Sequence, residues 1–192
     1  MNFIITYCLQ ANIIINLPRM GFVRSTRNSL TPEQAYAKIR HYCAFQERTH
    51  LEVKRKLSEY GLSWSDAGQV LSRLIEDGFL NEERFAQAFA GGKFRIKGWG
   101  KKKIEIELKK RGVAAYSILK ALRDEIPVDA YRKKLQQLAE KKCSTLKGPG
   151  MTSRIRAEKT RQFLLRRGFE NDLITKTLHE INGKTATDND TD

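Results

Sequence analysis

The sequence predicts an all-α protein, an elongated array of three tandem three-helix, helix-turn-helix-like repeats. Three observations lead there. The pattern Leu-x-x-x-Gly-apolar recurs three times, at Leu57 to Gly61-Leu62, Leu108 to Gly112-Val113 and Leu164 to Gly168-Phe169. Ile118 and Leu122 follow Gly112 at the offsets where Ile174 and Leu178 follow Gly168, and Val70 and Leu74 keep the same mutual spacing after Gly61. A self-similar period of roughly fifty residues is the mark of a repeat architecture. Each shared segment also reads as an amphipathic helix stopped by glycine, the residue that most easily takes the left-handed turn at a helix end.

The segment 101–112, Lys-Lys-Lys-Ile-Glu-Ile-Glu-Leu-Lys-Lys-Arg-Gly, tests this reading. Ile104, Ile106 and Leu108 alternate with charge, which is the period of a half-buried strand. Lys, Glu and Leu nevertheless favour helices, and neither equivalent segment, 51–61 or 160–168, alternates. The repeat decides for a helix over 101–111.

Taken in order, residues 1–30 are expected to be an extension of no predictable structure. Its apolar part, 3–17, is interrupted by Gln10, Asn12 and Asn16 and is too short to span a bilayer. It lacks the basic lead and small-residue cleavage site of a signal peptide. Met20 follows closely, so residues 1–19 read as dispensable, an upstream-extended start. The first repeat, 31–80, opens at Thr31-Pro32-Glu33-Gln34, a capping box with proline at the first helical position. Its helices are expected to about Gln46, over 50–60 with Val53, Leu57 and Tyr60 on one face, and after Ser63 with Val70, Leu71, Leu74 and Ile75 as a buried stripe. The second repeat, 81–126, opens at the cap Asn81, with Glu82 and Glu83 facing the positive end of the helix dipole. Phe85 and Phe89, one turn apart, belong to its core. The basic helix 101–111 and a helix over 114–125 complete it. The third, 127–182, has helices over 128–143, 153–167 and 170–181 around a non-helical linker containing Gly148-Pro149-Gly150. The polar, acidic stretch 183–192 reads as a disordered tail.

Charge narrows the function. The chain of 192 residues carries a net charge of +14, clustered rather than mixed. Residues 93–112 hold nine Lys or Arg against two Glu, and 132–167 hold twelve against two. Such clustering favours a polyanionic partner. Candidate contacts are Lys93, Arg95, Lys97, Lys101, Lys102, Lys103, Lys109, Lys110 and Arg111 on and before the fifth helix, and Arg154, Arg156, Lys159, Arg161, Arg166 and Arg167 on the eighth. Two equivalent basic helices on stacked repeats would make a continuous track for a phosphate backbone. Cations near a helix C-terminus also arise for dipole reasons alone. Trp99, between Gly98 and Gly100, either braces that turn or stacks on a base.

The chemistry of an enzyme is missing. Glu105 and Glu107 lie two apart, so a helix points them in different directions. Gly91-Gly92-Lys93 lacks the spacing and hydroxyl of a phosphate loop, and Gly98-Trp99-Gly100 is no dinucleotide fingerprint. Cys8, Cys43 and Cys143 are scattered and odd in number, pointing to a reducing cytoplasm rather than to disulfides or zinc. No cofactor, metal or membrane association is expected.

Four stretches carry a family resemblance. Arg48-Thr49-His50-Leu51-Glu52-Val53-Lys54-Arg55-Lys56-Leu57 resembles the Arg-x-(His/Tyr)-(Ser/Thr)-x-x-Glu-Leu-x-x-Lys-Leu signature that opens the RecX family of recombinase regulators. Gly78-Phe79-Leu80-Asn81-Glu82-Glu83-Arg84-Phe85-Ala86 is similar to its Gly-Tyr-(Leu/Ile)-(Asp/Asn)-Asp-x-Arg-Phe-Ala. Lys97-Gly98-Trp99-Gly100, Ile104, Glu107-Leu108 and Lys110-Arg111-Gly112-Val113 match its Lys-Gly-x-Gly-x-x-x-Ile-x-x-Glu-Leu-x-x-Lys-Gly-Ile. Lys159-Thr160-Arg161-Gln162-Phe163-Leu164-Leu165-Arg166-Arg167-Gly168-Phe169 matches its Arg-Phe-Leu-x-Arg-Arg-Gly-Phe run. Gly91-Gly92-Lys93 and Glu52-Val53 depart from the pattern. The resemblance implies tandem three-helix repeats that bind the RecA filament on single-stranded DNA. There they would inhibit strand exchange, ATP hydrolysis and coprotease activity by blocking growth of the filament or loosening it, as a cytoplasmic monomer with non-specific double-stranded DNA as a further candidate partner. The rival reading is a stand-alone helix-turn-helix DNA-binding protein.

Because the first capped helix is expected at Thr31, a chain starting at Met20 should keep the helix content of the whole one. Circular dichroism on the two forms checks this; soluble expression only of the longer form would contradict it.

Overall fold

The computed structural model of the chain describes residues 29–187, and every regular element among them is helical. The first triplet is α1 Pro32–Phe45, α2 His50–Glu59 and α3 Trp64–Glu76. The second is α4 Glu82–Lys97, α5 Lys101–Lys110 and α6 Ala115–Glu125. The third is α7 Val128–Thr145, α8 Ser153–Arg166 and α9 Asn171–Thr187.

Local chemistry sets the helix starts. Thr31 Oγ1 accepts from the Gln34 amide at 3.3 Å while Gln34 Oε1 accepts from the Thr31 amide at 3.2 Å. Thr49 and Glu52 form a second such box ahead of α2, at 3.1 Å both ways. Ser63, Asn81 and Thr152 cap α3, α4 and α8 through side-chain oxygens. The start of α6 has no cap of its own, and the second triplet supplies one from a distance. Glu82 Oε1 accepts from the Ala114 amide at 3.1 Å and from Ser117 Oγ at 2.9 Å. Order also begins earlier than Thr31, since the Leu30 amide donates to the Tyr60 carbonyl at 3.0 Å. The remainder of the expected extension, residues 1–28, lies outside the described residues.

The helix reading of α5 holds. Ile104 and Leu108 are fully buried, whereas Ile106 is half exposed, as a turn of 3.6 residues demands and a strand would not. Two expectations change. Ile75 is exposed, leaving Val70 and Leu74 as the buried stripe of α3. The helix α9 runs to Thr187, into the stretch expected as a tail. Extending an existing helix fixes one residue per new hydrogen bond, and Lys184 and Ala186 are good formers, so polar composition alone does not end it. Residues 188–192 lie outside the described residues.

The cores differ from a row of separate ones. The first triplet has its own, built on Ile39, Val53, Leu57, Val70 and Leu74. The second and third share one, running from Phe85 and Ile104 through Tyr131 and Leu135 to Phe169 and Ile174. Phe94, Tyr131 and Phe169 bridge the two triplets, with ring centroids 6.0 and 5.1 Å apart.

What permits the fusion is a contact between two glycines. A Cβ on Gly100 would overlap the Gly168 carbonyl, and one on Gly168 would lie 2.5 Å from the Lys103 backbone nitrogen. The Gly100 amide donates to the Arg167 carbonyl at 2.8 Å, and the Lys102 amide to the Gly168 carbonyl at 3.2 Å. Thus the free N–H groups at the start of α5 meet the free carbonyls at the end of α8, each satisfying the other's unpaired groups. Gly168 holds a φ of +86°, open to glycine and costly to other residues.

Gly78 has a similar φ of +73° but open space around it. Gly78→Ala should therefore cost only the left-handed strain, about 1–2 kcal/mol. Gly168→Ala should cost clearly more, because it also forces α5 and α8 apart. Denaturant unfolding of the two variants measures the difference; equal destabilisation would mean that the close approach is not needed.

Candidate nucleic-acid interface

The glycine contact fixes where the basic residues stand. The start of α5 abuts the end of α8, so the basic segments of the second and third triplets meet there. At that junction the cations exchange roles across the triplets. Lys103 Nζ of the second triplet reaches the Arg166 carbonyl at the end of α8, at 3.4 Å. Arg167 Nη1 of the third donates to the Lys97 carbonyl at 2.5 Å and the Gly98 carbonyl at 3.3 Å, at the end of α4. Each cation sits at the negative pole of the other triplet's helix.

Tyr131 closes the junction from below. Its hydroxyl accepts from the Lys101 amide at 3.1 Å and donates to Glu170 Oε2 at 2.7 Å. Burial first, and then the bond to Glu170, push the phenol's pKa well above the ordinary tyrosine value, so the proton it donates stays in place. Trp99 is half-buried against the shared core, with Lys103 Nζ 4.5 Å and Lys93 Nζ 5.2 Å from its ring centroid. Its ring thus packs on the core and lies beside two of the cations.

The sixteen candidates therefore divide by what they already touch. Lys109 pairs with Glu105 at 2.5 Å, Lys110 with Glu107 at 3.2 Å and Arg95 with Glu125 at 2.9 Å. Arg111 reaches Glu52 at 3.4 Å, and Arg161 binds Asn171 and lies 3.6 Å from Glu158. Lys93, Lys101, Lys103 and Arg167 lie over the rings of Trp99, Tyr131 or Phe163. Lys97, Lys102 and Arg166 are exposed at the junction with no acidic partner among the described residues. Arg154, Arg156 and Lys159 also lack one but lie toward the other end of α8, and Arg156 buries its Nε without a partner.

Models of the second and third three-helix domains of RecX match residues 81–122 and 129–178. The regulatory protein RecX of Pseudomonas putida is 35% identical over 136 residues, covering 70% of this chain and 83% of its own. The chain belongs to the RecX family. The Oceanobacillus iheyensis RecX matches 82% of this chain at 24% identity, and the chain spans only 57% of that relative's length. The fold agrees with the crystal structure of RecX from Lactobacillus salivarius, with a TM-score of 0.72, 24% identity, and coverage of 79% of this chain and 97% of that one. These RecX relatives are named regulatory proteins, and among the described residues no metal-binding group or membrane-length apolar helix occurs.

Sequence reasoning missed Tyr131 and Glu170, the residues that hold the start of α5 in this RecX-family fold. Tyr131 precedes Leu135 by one helical turn, so its place on the inward face was readable; its bond to α5, thirty residues back, was not.

Replacing Lys97, Lys102 and Arg166 by Gln should lower the salt dependence of oligonucleotide binding by about 0.7 for each phosphate no longer neutralised. Replacing Lys109 and Lys110, already paired, should lower it less. Affinities measured across a salt series compare the two variants; a larger effect from the paired lysines would move the interface to the other end of α5.

Proposed function

We propose that this RecX-family chain regulates a RecA recombinase by seating on the RecA filament formed on single-stranded DNA. Bound there, it suppresses filament growth and with it ATP hydrolysis, strand exchange and coprotease activity. The single observation behind this reading is the junction of the second and third triplets. It presents Lys97, Lys102 and Arg166 as uncommitted cations on a body stiffened by one shared core. A stiff cationic surface suits a partner that is itself an ordered polyanion-bearing assembly, because little conformational freedom is lost on docking.

The mechanism follows from charge and shape. Phosphate contacts position the chain without reading bases, since lysine and arginine on an open surface find phosphates of any sequence. The paired cations Lys109, Lys110 and Arg95 contribute to the overall field that draws the chain in. Regulation then consists of occupying the filament rather than modifying it.

Titrating the chain into a RecA ATPase reaction on single-stranded DNA tests the reading. ATP hydrolysis should fall at well below one chain per RecA. An unchanged rate at equimolar chain, with filament formation verified independently, would overturn it.

A further inference from the structure

At the boundary of the first and second triplets lies an apolar groove of about 310 Å³, floored by Phe85 and Phe89 of α4. Lys93 and Lys97 line it as cations, and Glu47, from the segment joining α1 to α2, lines it as the acid. Gly92 is part of its wall, and a Cβ built there meets nothing within 4 Å. Glu47 is divided in its commitments. Oε1 is held by the Arg84 side chain, whereas Oε2 is buried without a hydrogen-bond partner. A buried carboxylate oxygen left unpaired is costly, and a turn of the Glu47 side chain would bring it to an N–H donor in the groove.

We infer that this groove seats one unstacked base of a single-stranded nucleic acid. The base displaces the Lys93 ammonium, which lies 5.1 Å from the Phe89 ring centroid, and takes its place on the apolar floor. An amino or imino N–H of its edge donates to Glu47 Oε2 once that side chain turns, and the freed Lys93 joins Lys97 on the neighbouring phosphates. Charge complementarity selects this occupant, since an apolar slot flanked by two lysines suits a planar group that travels with anions. Every base has an apolar face and all four carry at least one N–H, so the seat is tolerant of sequence, in the manner of stacking platforms. Lys97 also belongs to the cations of the α5–α8 junction, so a strand seated in the groove continues onto that surface. The inference rests on the reading of single-stranded DNA as a partner and assigns it a site that the charge pattern alone did not contain.

The experiment compares two probes with the full chain by fluorescence anisotropy: a single-stranded oligonucleotide, and an abasic strand of the same length. Wild-type chain should prefer the strand with bases by roughly fivefold or more, the value of one good stacking contact. Gly92→Leu should erase that preference by filling the groove. It should keep the abasic-strand affinity and its salt dependence, and the melting temperature should hold or rise, because leucine favours a helix over glycine. Glu47→Gln, which keeps the groove's shape, should reduce the preference in part. Equal affinity of the wild type for both strands overturns the inference. So does a preference that survives Gly92→Leu, and in that case the groove is left to a protein segment. Binding of neither strand overturns the nucleic-acid reading together with it, which sets that failure apart from failure of the groove alone.

Discussion

The arrangement of the second and third triplets depends on the approach of two backbones where neither residue has a side chain. Gly100 and Gly168 let the start of α5 dock onto the end of α8, with the Gly100 amide 2.8 Å from the Arg167 carbonyl. Three lysines in the first turn of a helix would ordinarily oppose its dipole. Here the carbonyl end of α8 supplies the compensating negative pole, and Tyr131 supplies an acceptor for the Lys101 amide. The same approach brings Phe94, Tyr131 and Phe169 within ring contact, and so turns two small cores into one. A larger shared core buries proportionally more surface than two separate ones.

The first triplet is attached differently. Its contacts with the second are mainly polar: Glu47 with Arg84, Glu52 with Arg111, and His50 4.0 Å from Glu82. Pairs as exposed as these contribute about 0–1 kcal/mol each, and Arg111 buries its Nε with no partner. The chain is therefore stiff where its triplets share a core and more weakly fastened where polar groups meet, and the groove lies on the weaker boundary.

Most of the helical framework was legible in the sequence because helices announce their ends locally. Thr31, Ser63 and Asn81 cap where expected, and Gly61, Gly112 and Gly168 take positive φ where the repeat places them. The merging of cores was not legible, because it turns on residues 68 positions apart whose importance lies in lacking a side chain. The same holds for Glu82, which caps α6 across 32 residues. For the candidate interface, charge was visible but commitment was not fully read. The i,i+4 pair Glu105–Lys109 and the i,i+3 pair Glu107–Lys110 were available from spacing alone. The interlocking of Lys103 and Arg167 depends on the fold and could come only from the structure.

The glycine contact also limits how such a protein can change over generations. A packed pair of side chains can drift together, one shrinking as the other grows. Gly100 and Gly168 have nothing to trade: a methyl on either meets main chain, which no substitution elsewhere removes. Exposed positions on the helices to either side meet no main chain in this way, while these two sites stay tied to each other. The tightest steric limit on change thus falls on two residues that carry no side chain at all.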